Sequence, residues 1–212
     1  MIRIQKGNEP ASLTTHRSSG GTYETYADKD GLRASLHRDQ KGICGYCMQR
    51  IVCEPLKMKI EHFQSQAGYA NKQLVYTNLI GVCKGNEGKP PSQHHCDTKK
   101  ANNDLSKSPV APPDIAKLID YGVDGKVGSS DPILNEQLES VLNLNLAVLV
   151  NNRKAVLDGF RMGGDPRTWT RSQFDKFVLL WSDAAGTGEL KPFCGVALYW
   201  LSKRSKGPFR TP

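Results

Sequence analysis

Beyond about residue 130 the apolar side chains recur at the spacing of α-helices. Leu134, Leu138, Val141 and Leu142 form one stripe, and Leu149, Val150, Val156, Leu157 and Phe160 form a second. Phe174, Phe177, Val178 and Trp181 form a third. Residues three, four and seven apart stand over one another on a helix, so each stripe predicts one buried face. Thr170 and Gln173 stand at capping-box spacing ahead of the third stripe. Pro192 opens a last helix with the stripe Phe193, Val196, Ala197, Trp200 and Leu201. These aromatic stripes read as core rather than binding surface.

The first 130 residues carry shorter and less regular patterns. Gly7 to Tyr26 is rich in Gly, Ser and Thr, contains Gly20-Gly21 and shows little apolar periodicity, which predicts an extended arm. Asp28 to Gln40 predicts a helix: Asp28 or Asp30 caps it, Leu32 and Leu36 share a face, and Gly42 ends it. Ile43 to Phe63 is strand-like, with Cys44 to Cys47 as a tight turn, and a loop through Gly68 and Tyr69 leads to Asn78. Gly85 to Gln93 holds two Gly and two Pro and must be loop. Asp97 to Asn103 predicts a short helix, so the middle of the chain reads strand, strand, helix. Pro109 to Pro113 is a linker, and Val123-Asp124-Gly125-Lys126 is a hairpin turn. The organisation expected is an arm over 1–27, a core over 28–108 and a mostly helical module over 109–212, in an α+β fold.

Composition narrows the function. The chain has 212 residues, 38% of them hydrophobic, enough for one domain with a core or a small domain with a helical partner. The formal net charge is +8 and the pI about 9.2, so a polyanion is the first partner to consider. The opening MIRIQKGNEPASL has no apolar core of a secretory signal, and no stretch approaches the roughly 20 apolar residues of a membrane helix. A cytoplasmic location with reduced thiols and no membrane partner is expected. In that setting paired cysteines at ligand spacing mean zinc more often than disulfides. Cys53 and Cys194 fall outside the pattern and read as small buried residues. The chain lacks both a GxxxxGK[ST] phosphate loop and a GxSxG nucleophile motif.

Cys44 and Cys47 on one turn make a strong half of a zinc site, and Cys83 and Cys96 are the natural second half. Structural zinc takes four tetrahedral N or S ligands. Twelve residues separate Cys83 from Cys96, which leaves His94 or His95 as an alternative fourth ligand to Cys96. Between the halves lies Glu61-His62. An imidazole suits a general base because its ordinary pKa lies near working pH. A carboxylate suits a hard cation, Mg²⁺ or Mn²⁺.

The order Cys44-Gly-Tyr-Cys47, Ile60-Glu61-His62, Asn78-Leu79-Ile-Gly-Val-Cys83 and Cys96-Asp97-Thr-Lys99-Lys100 resembles that of HNH endonucleases with a zinc-ribbon ββα-metal core. The resemblance implies such a core with a Cys₄ zinc site, beside the extended arm and helical module. It implies that His62 is the general base, that Glu61 and Asp97 bind the catalytic divalent ion, and that Lys99 or Lys100 meets a phosphate. Asn78 would brace the loop that aims His62, or touch the metal itself. Glu61 stands where Asp is usual, and Asp97 where Asn or His is usual, which favours Mg²⁺ or Mn²⁺ over a soft metal. The insertion from Lys84 to His95 is long, which makes His94 or His95 a candidate third ligand.

Ile4 to Leu13, Lys59 to His62, His95-Cys96-Asp97, Val141 to Asn145 and Asn152-Arg153 look like the HNH subunits of the Septu and retron-linked anti-phage systems. That similarity implies an ABC-type or SMC-like ATPase partner and, in retron-linked systems, a reverse transcriptase–msDNA complex. The substrate class left open is nucleic acid, either DNA or RNA. The alternative is a non-catalytic zinc ribbon that binds nucleic acid or serves as an adaptor, and it expects binding without cleavage.

Overall fold

In the computed structural model, which describes residues 1–162, 168–182 and 188–204, the chain is α+β. It runs α1 (Ala11–Ser18), α2 (Lys29–Asp39), β1 (Met58–His62), β2 (Leu79–Cys83), α3 (Cys96–Lys100), β3 (Ile119–Tyr121), β4 (Val127–Ser129), α4 (Pro132–Ser140), α5 (Ala147–Met162), α6 (Arg171–Ser182) and α7 (Cys194–Arg204). Among the described residues no helix is long and apolar enough to cross a membrane.

β1 and β2 pair antiparallel, from Met58 opposite Cys83 to His62 opposite Leu79. α2 seats this ribbon. It is capped by Asp28, whose side chain accepts from the Gly31 N–H, and it buries Leu32 and Leu36. Just past its end, the buried amide of Gln40 bonds both backbone groups of Gly81, at 2.6 and 2.7 Å. A Cβ at that position in β2 would lie 2.2 Å from the Met58 methyl and displace it. α3 follows β2 after the long loop and lies against it.

β3 and β4 form the expected hairpin, with Tyr121 opposite Val127. Gly125 in its turn has φ +86° and backs onto α5, where a Cβ would meet the Val150 carbonyl at 2.4 Å. The buried Arg153 of α5 donates to the carbonyls of Gly125 and Leu144, both at 2.6 Å. Asp131 caps α4 through the Leu134 N–H, with Pro132 in the first turn. The Thr170–Gln173 capping box forms, with bonds of 2.8 and 3.3 Å at the head of α6. α7 starts at Cys194, two residues after Pro192, because Phe193 has φ +58° and cannot be helical. The side chain of Phe160 lies outside the described residues. One continuous apolar cluster runs from Met1 and Ile4 through Leu32, Leu79 and Leu134 to Val196. A smaller one joins Trp169 and Phe174 to Ala197 and Leu201.

Two expectations are corrected. Residues 1–27 are not an extended arm: they contain α1, and they bury Met1, Ile4, Leu13 and Tyr26. The Ile4 N–H donates to the Pro109 carbonyl at 2.8 Å. Of the eight residues of α1 only Leu13 is buried, so this helix writes no stripe into the sequence. Cys53 is exposed rather than buried, in the turn that precedes β1.

Candidate functional site

Three elements bring four sulfurs together. The Cys44–Cys47 turn is closed by the Met48 N–H donating to the Cys44 carbonyl at 3.0 Å and by the Ile43–Arg50 bridge. Cys83 ends β2, and Cys96 opens α3 with φ +53°. All four sulfurs lie within 4.8 Å of one another, with Cys44–Cys96 at 4.0 Å and Cys47–Cys83 at 3.7 Å. Four thiolates about 2.3 Å from one zinc ion at tetrahedral corners stand roughly 3.8 Å apart, so the cluster fits such an ion and can hold it. Burial pushes the Cys47 and Cys96 thiols well up, whereas hydrogen bonds from Cys44, Cys47 and Cys96 pull Cys83 well down. A bound dication would let all four ionise.

The long Lys84–His95 loop closes on itself. The His95 N–H donates to the Gly85 carbonyl at 3.1 Å, and Gly85 has φ +56° with no room for a Cβ. Asn143, beyond α4, donates to the His94 carbonyl at 2.8 Å. This returns Cys96 to the cluster, so neither histidine is needed in its place. His95 is buried with Nδ1 3.2 Å from the Cys96 sulfur, and the His94 ring bonds the Lys89 carbonyl at 2.7 Å. His95 therefore engages the cysteine cluster and His94 the insertion itself.

Glu61 and Asp97 meet on the other side of α3. Glu61 is buried near the end of β1, and its Oε1 accepts from the Lys100 ammonium at 2.8 Å and the Tyr46 hydroxyl at 3.1 Å. Burial first, then the hydrogen bond and charge of Asp97, push the Glu61 carboxyl up to about 8, against the pull of Lys100. The half-buried Asp97 also pairs with Lys59 at 3.1 Å. Two carboxyl groups so close offer the oxygen ligands that a hard dication takes.

His62 is buried beside them. Its Nε2 is 2.9 Å from the Gln73 carbonyl, so that nitrogen must carry the proton and Nδ1 holds the free lone pair. The Tyr23 ring stands edge-on to the imidazole, 4.5 Å between centroids and 88° between planes. Burial lowers the imidazole pKa, partly offset by the Gln73 bond. All three hydrogen bonds of the Asn78 side chain go to the loop after His62: Oδ1 accepts from the Gln64 N–H at 2.8 Å, and Nδ2 donates to the carbonyls of Gln64 at 3.0 Å and Lys72 at 3.2 Å. Among the described residues, the four cysteines are the one group of three or more Cys, His, Asp or Glu side chains close enough to share an ion. Glu61, Asp97 and His62 do not form a second such group.

Lys100 corrects the expectation of a phosphate contact. Its side chain is 0% exposed, and its ammonium is taken up by Glu61 and by the His62 carbonyl at 3.3 Å. Lys99 is exposed on the same helix. Sequence reasoning missed Tyr46, Tyr23, Gln73 and Lys59. Tyr46 and Lys59 lie inside the sequence motifs, but the partners that give all four a role stand well away in the chain.

No family model matches the chain. It is 27% identical over 125 residues to the Septu protein PtuB of Bacillus thuringiensis, across 56% of this chain and 44% of that protein. It is 23% identical over 229 residues to a retron Ec83 putative HNH endonuclease of Escherichia coli, across 86% of this chain and 88% of that one. The match thus spans less than half of the Bacillus protein and most of the Escherichia one. Both similarities support the resemblance to an HNH-like family of defence nucleases.

Proposed function

We propose that the chain is a metal-dependent HNH endonuclease that hydrolyses phosphodiester bonds of nucleic acid, as the effector of an anti-phage complex with an ATPase partner. The observation that carries this reading is the meeting of the Glu61 and Asp97 carboxylates, from β1 and α3, beside a His62 whose tautomer is fixed. Glu61 and Asp97 would hold Mg²⁺ or Mn²⁺, which supplies charge neutralisation at the scissile phosphate. His62 Nδ1 takes the proton of the attacking water. Gln73 holds the opposite nitrogen protonated, and Asn78 keeps the intervening loop in place. Lys99 is the exposed cation of α3 that meets a neighbouring phosphate. Cys44, Cys47, Cys83 and Cys96 hold structural zinc, which fixes α3 and with it Asp97. The core of residues 28–108 then carries the chemistry, and the helices of residues 109–212 offer the face for the partner. The retron relative's printed name and the Septu one support a setting among defence proteins.

The test is incubation of the purified full chain, with and without its ATPase, with duplex DNA, single-stranded DNA and RNA under Mg²⁺ or Mn²⁺. Cleavage is expected with at least one of these. His62→Ala should lower its rate about 10²–10⁴-fold, as loss of a general base does, with the fold retained. Binding without cleavage under every condition would instead favour the adaptor reading.

A further inference from the structure

The Lys84–His95 insertion carries one carboxylate, that of Glu87, back to the edge of the acidic pair. Glu87 Oε1 lies 3.1 Å from the Lys59 ammonium, and its other oxygen pairs with Lys84. Lys59 is two residues before Glu61 on β1, so both side chains leave the same face of the strand. Its ammonium also touches Asp97 at 3.1 Å and the Thr98 hydroxyl at 3.0 Å. Thr98 in turn donates to the Lys84 carbonyl at 2.8 Å, which ties α3 to the start of the insertion. An anion with two oxygens, each on its own ammonium, already occupies a place adjoining Asp97. A phosphodiester offers two non-bridging oxygens of the same kind. The Glu87 side chain is 46% exposed, so it can leave without opening the core.

We propose that Lys59 and Lys84 form a binding site for a backbone phosphate of nucleic acid, and that the Glu87 carboxylate fills this site in the free chain until a phosphate displaces it. The location beside the reacting bond rests on the nuclease reading, but the site itself is tested by binding alone. The long insertion then has a role: it presents an internal competitor that lowers affinity for any nucleic acid unable to displace it.

The experiment measures binding of a labelled 30-nucleotide single-stranded DNA, and of RNA of the same length, to the full chain carrying His62→Ala, without added divalent ion. Glu87→Gln is expected to tighten binding about threefold or more, in line with the release of one exposed ion pair. Asp175→Asn on α6 removes the same charge elsewhere and should change little. Lys59→Gln and Lys84→Gln should each weaken binding and reduce the slope of log affinity against log salt by about 0.7, the value for one phosphate contact to a single strand. In the Lys59→Gln/Lys84→Gln background the gain from Glu87→Gln should vanish. Unchanged affinity in Glu87→Gln, an equal gain in Asp175→Asn, a gain that survives loss of both lysines, or no binding by any variant overturns the proposal. Cleavage by the chain with its native His62 is scored separately. A chain that shows the Glu87 effect yet never cuts would overturn the nuclease reading alone.

Discussion

Asn78 decides between the two roles that its motif leaves open. Its amide uses three hydrogen bonds on the backbone of the loop that follows His62. Truncation to Ala leaves those backbone groups facing a void, and an unsatisfied buried polar group costs about 1–3 kcal/mol. Asn78→Ala should therefore lower stability by about 2 kcal/mol and slow cleavage. Asn78→Asp is the sharper variant. It keeps an acceptor for the Gln64 N–H but turns a negative oxygen toward two carbonyls, so it should destabilise more than Ala. If Asn78 were instead a ligand of the catalytic ion, the acidic variant would keep its stability and bind Mn²⁺ at least as tightly. Thermal melts and a Mn²⁺ titration separate the two. At this scale the candidate site residues were legible, because Cys, His, Glu and Asp stand in a recognisable order. Their partners were not. Nothing in the sequence tells that Lys100 turns inward to Glu61 while Lys99, one position earlier, faces solvent.

Elements were legible in proportion to the stripe they bury. α4 to α7 each place several apolar residues on one face, and their stripes stand out from sequence alone. β1 and β2 are five residues each and bury residues on both faces, so neither alternates cleanly. α1 buries a single leucine, and the segment around it looked unstructured. Yet this segment ends on the candidate site. The Tyr23 N–H donates to the Gln73 side chain at 2.9 Å, while the Gln73 carbonyl accepts from His62. Arg17 of α1 donates to the next carbonyl, that of Leu74, at 2.8 Å. The segment therefore acts as a wall that holds the imidazole and its acceptor in one geometry. Small misplacements of a reacting group cost large factors in rate. Tyr23→Ala should lower kcat by about tenfold or more with little change in KM, and Tyr23→Phe should restore it, since the packing uses the ring edge. A fall in KM and kcat together with the melting temperature would reduce Tyr23 to a stabilising residue.

Over the whole molecule, the four-cysteine cluster and the helical half form one structure. The apolar cluster that contains Cys44, Cys47 and Cys96 also contains Leu149, Cys194 and Val196. Backbone bonds cross between the halves: the Leu190 N–H donates to the Lys41 carbonyl and the Phe193 N–H to the Met48 carbonyl, both at 2.9 Å. Arg50 donates to the Leu190 carbonyl at 2.6 Å. Sequence suggested separate segments because the composition shifts at Pro109 to Pro113, whereas these ties are made by single residues far apart in the chain. The consequence is cooperative unfolding. An ion on Cys44, Cys47, Cys83 and Cys96 ties the turn, β2 and α3, and removing it leaves buried thiols that cannot all ionise. Structural zinc contributes on the order of 10 kcal/mol in small modules, so its loss here should lower the melting temperature steeply. Because the helices share the same core, their far-UV signal at 222 nm should fall in the same transition as near-UV signals from the metal half, and metal analysis should find one zinc per chain. Helical signal that survives chelation with its own separate melt would mean that α5 to α7 fold independently of the metal.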